Sequence, residues 1–366
     1  GVVVDADTRR VTVQPGATLG DVDAATQVHG LAVPTGINST TGIAGLTLGG
    51  GVGWLGRRHG LTIDNLRSAD VVLADGEQVR TSDTDHPDLF WAIRGGGGNF
   101  GIVTSFEFDA HPVGPEILSG LIVHPIADAP AVLRAYRDFT DSAPDEVTVW
   151  VVLRKAPPLP FLPQEVHGTE VLVLAAMYTG DLKAGEQALA PLRAIGHPIA
   201  DVIGPHAFVD WQQAFDPLLT PGARNYWKSH DFEGLSDGLI DTVLEAVGEL
   251  PDPQTEIFIG QLGGAQSRIP SGNTAYRGRG AGFLMNVHGR WDDPAKDTAC
   301  VDWCRSVFAR TEPFAMGAAY VNFLTAEEAE RLETAYGDAW ARLRTVKKTY
   351  DPDNRFRMNQ NIPPGD

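Results

Sequence analysis

The chain has 366 residues, enough for two domains of ordinary size, and 43% of them are hydrophobic, so it can bury substantial cores. Its formal net charge of −18, without any run of Lys and Arg, argues against a nucleic-acid partner. No apolar stretch approaches the ~18 residues of a membrane span, so no membrane partner is predicted. Two cysteines exclude a disulfide scaffold and a four-cysteine zinc site.

The first third of the chain alternates in the manner of strands, with short helices between them. The predicted elements are strands at 1–5 and 11–13, a helix at 18–29, a hairpin at 71–80, a helix at 86–93 and a strand at 101–108. Within the hairpin, Asp75-Gly76 predicts a two-residue type I′ turn. Gly1 opens the chain inside a predicted strand, which suggests either an absent upstream segment or a terminus held in a sheet.

From about residue 113, longer strands alternate with amphipathic helices. The predicted strands lie at 117–124, 146–153 and 169–178, and the predicted helices at 127–139, 182–194, 236–248 and 293–310. This pattern allows parallel strands with helical crossovers, and equally an antiparallel sheet with helices on one face. Ser236, within Gly-x-Ser-x-Gly, is predicted to cap a helix rather than to act as a nucleophile, and Cys300 and Cys304 are predicted core thiols.

Glycine is concentrated in two segments. Residues 42–60 contain eight glycines in nineteen positions, and residues 95–101 contain five in seven. Such loops expose rows of backbone N–H dipoles that can hold a diphosphate without lysine, which suits an acidic protein with an anionic cofactor. The alternative, tight turns between strands, explains one such segment more easily than two.

Both glycine segments match Gly-x-Gly-x-x-Gly, at 51–56 and at 96–101, but neither follows a strand and opens a crossover helix. A Rossmann fold is therefore disfavoured. The chain has no Gly-Lys pair, so a Walker A loop is excluded. The ten histidines form no metal-binding motif, and no metal site is predicted.

The segments 34–55, 59–66 and 88–104 closely resemble the flavin-binding region of the berberine bridge enzyme-like FAD oxidoreductases, within the vanillyl-alcohol oxidase / p-cresol methylhydroxylase superfamily. The tail at 350–364 is similar to the C-terminal signature of that family. The resemblance implies an α+β, two-domain p-cresol methylhydroxylase-type fold. It also implies an FAD-binding domain at 1–112 and 316–366, and a substrate domain at 113–315 with an antiparallel sheet backed by helices.

The same resemblance implies FAD as the cofactor and assigns its contacts to both glycine segments and to the C-terminal tail. The residues implied are Thr41, Gly42, Gly45, Leu46, Thr47, Gly50, Gly51, Gly53, Asp64, Asn65, Gly98, Asn99, Gly101, Ile102, Val103, Asn359 and Asn361. Aromatic residues such as Trp211, Phe215, Tyr226 and Trp227 are candidates for the substrate pocket, although core packing is expected for most of them.

The resemblance further implies hydride transfer from a C–H bond of an alcohol, sugar or natural-product intermediate to flavin N5, with dioxygen as the electron acceptor. A base must take the hydroxyl proton, and a tyrosine with a lowered pKa can do so. Tyr320 and Tyr276 match positions of active-site tyrosines in the family. The structural alternatives are that Tyr320 packs at the domain interface and that Tyr276 only contacts the ligand at the rim of the pocket.

Two departures from the family pattern affect the cofactor. Ile63 occupies the position of the cysteine that tethers FAD in many relatives, so a cysteinyl link is excluded. The loop with the tethering histidine precedes the first strand of this chain, so a histidyl link cannot be assessed. Three explanations account for the absence of this loop: the upstream segment is disordered, it was removed, or the protein never had it. The last case predicts a flavin-free cyclase, isomerase or binding protein.

No signal peptide is visible, which favours a cytoplasmic location without excluding secretion.

Overall fold

The computed structural model describes residues 1–357 and 360–365. In the first 112 residues the elements are β1 (Val2–Asp5), β2 (Arg10–Val13), α1 (Leu19–Gln27), β3 (Leu31–Ala32), α2 (Ile43–Leu48), α3 (Gly56–His59), β4 (Leu66–Val72), β5 (Gln78–Ser82), α4 (Pro87–Ile93), β6 (Ile102–Asp109) and β7 (His111–Pro112). Helix α1 begins where predicted, because the Thr18 hydroxyl accepts from the Asp21 N–H and the Asp21 carboxylate accepts from the Thr18 N–H.

The smaller sheet has the strand order β1-β2-β6-β4-β5, and every pairing in it is antiparallel. The predicted hairpin forms between β4 and β5, but the prediction of a two-residue turn at Asp75-Gly76 is wrong. Val72 pairs with Gln78, so five residues separate the strands. The turn is closed by the Gly76 N–H donating to Leu73 O, with Gly76 at φ +92°. Glycine supplies the positive φ at the end of this longer loop.

The next 200 residues form the larger domain. Its elements are β8 (Glu116–Pro125), α5 (Ala129–Thr140), β9 (Val147–Lys155), β10 (Glu170–Tyr178), α6 (Leu182–Arg193), β11 (Ala200–Asp201), β12 (Gly204–Ala207), α7 (Phe208–Gln212), β13 (Arg224–Phe232), α8 (Asp237–Val247), β14 (Glu256–Gln261), α9 (Ala265–Arg268), β15 (Phe283–Trp291) and α10 (Asp297–Thr311). Ser236 caps α8 by accepting from the Leu239 N–H at 3.2 Å, as predicted.

The larger sheet follows the order β11-β8-β10-β9-β14-β15-β13, with β12 also paired to β8. All of these pairings are antiparallel, so the antiparallel alternative is confirmed. Alternate residues such as Val149, Val151 and Met285 pack with α5, α8 and α10 in an apolar core. Cys304 belongs to that core, and Cys300 is also buried and free, as predicted.

Two short helices, α11 (Leu332–Tyr336) and α12 (Trp340–Tyr350), follow the larger domain. Leu332, Leu343 and Val346 from this region are buried in the core of the smaller sheet together with Val11 and Phe106. The C-terminal part of the chain therefore packs on the first domain, in line with the division that the resemblance implied. The boundaries at residues 112 and 315 remain predictions.

Candidate active site

A cavity of about 730 Å³ lies between the two domains, within the size range of ligand pockets. One side, here called the glycine wall, comprises cavity-lining residues of segments 36–52 and 97–99 together with Tyr320–Phe323 and Gln360. The opposite side, here called the sheet wall, comprises Trp150, Trp227, Glu256, Phe258, Leu284, Asn286 and His288. The cavity thus unites both glycine segments with the face of the larger sheet that its helices leave uncovered.

The glycine wall presents bare backbone to the cavity. At Gly42, Gly45 and Gly98, a Cβ atom would meet no atom of the described residues within 4 Å. These exposed positions let a ligand approach the main chain, and backbone N–H groups can hold anionic oxygens there. The wall therefore fits a cofactor with a diphosphate. Thr41, Leu46 and Asn99, also predicted from the sequence, line the same cavity.

Other glycines of the same segments are needed for packing. A Cβ on Gly53 would lie 1.7 Å from Thr35 O, and one on Gly101 would lie 2.5 Å from Val71 Cγ1. At Gly51, where φ is +81°, it would lie 2.0 Å from the Thr62 hydroxyl oxygen. Glycine is required at these three positions by the protein's own backbone and side chains.

Several predicted cofactor residues lie outside the cavity lining. They are Thr47, Gly50, Gly51, Gly53, Asp64, Asn65, Gly101, Ile102, Val103 and Asn361. Ile102 is 56% exposed, and Asn65 donates to His59 O and Leu61 O. Asn359 lies outside the described residues. For all of these residues, contact with FAD stays a prediction.

Two buried arginines hold the domains together around the cavity. Arg57 on α3 donates to Val147 O at 2.8 Å and to Leu262 O at 2.7 Å, both in the larger domain. Arg279, from the larger domain, pairs with Asp64 at 2.6 and 2.7 Å. These bonds satisfy charges that would be costly to bury alone, and they fix the spacing of the two walls.

Asn99 attaches the C-terminal tail to the second glycine segment. Its side chain donates to Gly96 O at 2.9 Å and to Gln360 O at 3.0 Å, and it accepts from the Ile362 N–H. Lys347 adds a bond from its ammonium group to Asn99 O at 2.8 Å. Asn99 therefore shapes the cavity chiefly by holding the tail against the glycine wall.

Tyr320 brings a phenol to the centre of the glycine wall. Its oxygen accepts from the Asn322 side-chain amide at 2.9 Å and from the Gly51 and Val52 N–H groups at 3.2 Å each. Burial raises the pKa of Tyr320 above its ordinary value, and the three donors oppose that rise without cancelling it, so the lowered pKa expected of a tyrosine base is not found in the protein alone. Because a phenol also carries its own proton, three incoming donors match the acceptor capacity of a phenolate better than that of a phenol.

Tyr276 lies behind Tyr320 and does not line the cavity. The two rings meet edge to face, with their centroids 6.3 Å apart. Tyr276 also packs on Gly50, where a Cβ would come within 3.0 Å of its ring. Burial raises the pKa of Tyr276 well above 10. The structure thus places the two predicted tyrosines together but gives only Tyr320 a surface on the cavity.

The sheet wall combines aromatic and polar side chains from β9, β13, β14 and β15. Glu256 pairs with Arg154 at 2.7 Å and lies 3.5 Å from the His288 ring nitrogen Nδ1. Burial favours a higher pKa for Glu256, yet the hydrogen bond to His288 and the charge of Arg154 together lower it. Glu256 is therefore ionised and paired.

Three polar atoms of the sheet wall have no hydrogen-bond partner within the part of the chain that the structure describes. They are Asn286 Oδ1, Trp227 Nε1 and Trp150 Nε1. Buried polar groups are normally satisfied, so these atoms are available to a ligand. One is an acceptor and two are donors, a combination that hydroxyl groups complement.

Sequence reasoning missed most of the sheet wall. Of the proposed pocket aromatics, Trp227 lines the cavity, whereas Trp211 packs in an aromatic cluster with Trp54 and Phe215. Tyr226 hydrogen-bonds Glu327 instead. Strands β13, β14 and β15 were not predicted. The signal lay in Phe283–Trp291, where apolar residues that reach the helix-side core alternate with Asn286 and His288.

Among residues 1–357 and 360–365, no cluster of three His, Cys, Asp or Glu side chains could hold a metal ion. In the same ranges, no helix has the length and apolar character to cross a membrane.

Comparisons with known proteins identify the family of this chain. The family described as FAD binding domain matches residues 1–82, and the family described as berberine and berberine like matches residues 319–363. The FAD-linked oxidoreductase YgaK of Bacillus subtilis is 32% identical over 99% of this chain and 79% of its own length. Xylooligosaccharide oxidase of Thermothelomyces thermophilus is 29% identical over 100% of this chain and 76% of its own.

Solved structures show the same architecture. 6-Hydroxy-D-nicotine oxidase from Arthrobacter nicotinovorans superposes with a TM-score of 0.86 at 25% identity, covering 100% of this chain and 81% of that one. Berberine bridge enzyme from Eschscholzia californica gives 0.86 at 21% identity, covering 100% and 79%, which supports the fold. These relatives favour the flavoprotein hypothesis over the flavin-free alternative. The chain belongs to the berberine bridge enzyme-like family of FAD-linked oxidoreductases.

Proposed function

We propose that the chain oxidises a hydroxyl-bearing carbon of a small neutral molecule bound between the glycine wall and the sheet wall, with dioxygen as electron acceptor. The observation that carries this proposal is the environment of Tyr320, whose oxygen faces three N–H donors at the cavity. Those donors support a base that can take a hydroxyl proton. When bound, FAD supplies the hydride acceptor, at its N5 position.

The cofactor contacts that we propose are at the glycine wall. Gly42, Gly45 and Gly98 leave their backbone open to it, and Thr41 adds a hydroxyl at the same surface. Ile63 is fully buried and has no thiol, so no sulfur tether forms there. This wall therefore binds through main-chain groups and shape.

Tyr320 would take the proton of the substrate hydroxyl while the hydride leaves the same carbon. The products of one turnover are then a carbonyl compound and, from dioxygen, hydrogen peroxide. The Asn322 amide and the Val52 N–H hold the phenol oxygen in place between turnovers. Tyr276 buttresses the Tyr320 ring from behind, and we propose a supporting role for it.

The sheet wall would orient the substrate. Trp227, Phe258 and Phe323 offer aromatic surfaces, and Asn286 offers an acceptor for a substrate hydroxyl. Because Glu256 is already paired with Arg154, the wall presents no unpaired carboxylate to attract a cation. An uncharged hydroxylated substrate follows from this balance.

A substrate panel tests the proposal. Flavin-loaded protein is mixed with xylobiose, benzyl alcohol, glycerol and a set of primary amines, and hydrogen peroxide and carbonyl product are measured together. We expect at least one alcohol to give both products in equal amounts. Peroxide from amines alone, with every alcohol inert, would contradict the assignment.

A further inference from the structure

Strand β13 carries a row of side chains on the face of the sheet wall. Trp227, Ser229 and Asp231 alternate along it, and the register pairs Trp227 with His288 and Ser229 with Asn286. Trp227, His288 and Asn286 line the cavity, so the row passes from the cavity into the protein. Ser229 and Asp231 are each only 1% exposed.

Asp231 is an unusual member of this row. Neither of its carboxyl oxygens has a hydrogen-bond partner among the described residues. A buried carboxylate without a partner is strongly disfavoured. The group therefore either takes up a proton or has a functional role. Burial raises the pKa of Asp231 to about 7, although the Arg331 cation acts in the opposite direction.

The carboxyl group of Asp231 lies near the hydroxyl group of Tyr276, which packs on Tyr320. A Cβ on Gly278 would lie 2.6 Å from Tyr276 Oη and 3.1 Å from Asp231 Oδ2, so Gly278 leaves room for both oxygens. Tyr276 in turn packs on Tyr320 with ring centroids 6.3 Å apart. Asp231, Tyr276 and Tyr320 thus form a continuous group that reaches the cavity.

Among the residues that the structure describes, two ion pairs supply the charges that act on this group. Arg331, which pairs with Glu328, acts on Asp231, and the Arg279–Asp64 pair acts on Tyr276. A negative charge on Asp231 raises the pKa of both tyrosines. Asp231 and Tyr320 therefore compete, because each ionises more easily when the other is neutral.

We propose that Asp231 is a positioning residue that controls the protonation of Tyr320. Ionised Asp231 keeps Tyr320 in its phenol form, and neutral Asp231 lets the three N–H donors stabilise the phenolate. The carboxyl group acts through the tyrosine pair and does not contact the substrate. This inference rests on the proposed role of Tyr320 as base.

The pH profile of kcat/KM tests it with Asp231→Asn, which keeps the shape and removes the charge. Below about pH 6 both enzymes carry a neutral group here, so their profiles should coincide. Above pH 7 the variant should become faster, by about tenfold on the rising limb, because a nearby like charge shifts a pKa by about 1 or more. If the Asp231→Asn variant fails to fold because its amide does not pack, Asp231→Ser should show the same increase in kcat/KM above pH 7.

Ser229→Ala is the matched control, because Ser229 is equally buried on the same row and carries no charge. It should leave the pH profile unchanged. Coinciding profiles for Asp231→Asn and the parent at every pH would overturn the proposal, as would an equal divergence for Ser229→Ala.

An optical titration separates this proposal from the proposed function. In the parent background, the phenolate absorbance of Tyr320 is the difference between the parent and Tyr320→Phe. In the Asp231→Asn background, it is the difference between Asp231→Asn and the double variant Asp231→Asn/Tyr320→Phe. We expect its midpoint to fall by about 1 pH unit without Asp231. If Tyr320→Phe left turnover intact, the base assignment would fail while this coupling would still be measurable. An unmoved midpoint would refute the coupling itself.

Discussion

The two walls of the cavity differ in how they meet a ligand. The glycine wall offers main chain, with open positions at Gly42, Gly45 and Gly98, whereas the sheet wall offers the side chains of Trp227, Asn286 and other residues. Main-chain recognition suits a constant ligand such as a cofactor, because it depends on the absence of side chains. Side-chain recognition can vary from one relative to another. The contrast separates the part of the site that defines the family from the part that selects a substrate.

On the glycine wall, Gly45→Leu should cause loss of the cofactor. Gly45 lies inside α2 with open space beside it, so leucine should fit the helix and fill the cofactor surface. We expect bound flavin to fall at least tenfold, measured by absorbance after gel filtration, without loss of thermal stability. Gly16→Leu, at an exposed glycine outside the cavity, should retain flavin. Full flavin content in Gly45→Leu would remove this glycine from the binding surface.

Gly53→Ala tests the opposite kind of glycine in the same segment. Its Cβ would overlap Thr35 O, so the backbone must move, and we expect a loss of about 3 kcal/mol in the free energy of unfolding. Urea titration of the flavin-free protein measures this. Gly45→Ala in the same assay should be neutral or slightly stabilising. Equal stability of the two alanine variants would contradict the distinction between open and packed glycines.

On the sheet wall, Asn286→Leu should weaken substrate binding. Its Oδ1 has no protein partner in the described ranges, so a substrate hydroxyl is expected to donate to it. Losing one such hydrogen bond should raise KM about tenfold with little change in kcat, as steady-state kinetics will show. Asn273→Leu, at an exposed asparagine away from the cavity, is the control. A change in flavin content with unchanged KM would assign Asn286 to the cofactor instead.

A prediction that leaves the cavity itself unchanged concerns a buried histidine behind the sheet wall. Burial lowers the pKa of His230 from 6.5 to about 4, so the unfolded chain binds a proton that the folded chain refuses. Stability should therefore fall as pH drops from about 6.5 towards 4, by at most about 1.4 kcal/mol per pH unit from this residue. Urea unfolding of His230→Gln should show a shallower decline than the parent, and parallel curves would contradict the assignment.

The same contrast explains what the sequence could predict. The glycine wall leaves a local signature, because Gly42–Gly53 and Gly95–Gly101 are dense in one residue type. Helices α1, α4, α5, α6, α8 and α10 and the long strands β4, β6, β8, β9 and β10 were also predicted from periodicity, whereas helix α12 was not. The sheet wall is assembled from strands far apart in the chain, and its polar residues on β15 look like those of a strand facing water. Nothing local reveals that this face is buried against another domain.

The distinction between open and packed glycines was likewise beyond the sequence. Gly45 and Gly53 lie in one motif, yet only the fold brings Thr35 against one of them and leaves space beside the other. The tail shows the same limit: Asn361 was predicted beside the cofactor, but Gln360 lines the cavity and the Ile362 N–H is held by Asn99. Long-range packing decides which residue of a motif faces the ligand.

The central claim is that Tyr320 takes the substrate proton at the boundary of the two walls. The most direct measurement is the rate at which the best alcohol of the panel bleaches the flavin of Tyr320→Phe in the absence of oxygen, compared with the parent and with Tyr178→Phe, a tyrosine of the helix-side core. We expect Tyr320→Phe to be slower by about 10²- to 10⁴-fold with normal flavin content, and Tyr178→Phe to match the parent. Flavin bleaching at the parental rate in Tyr320→Phe would contradict the claim.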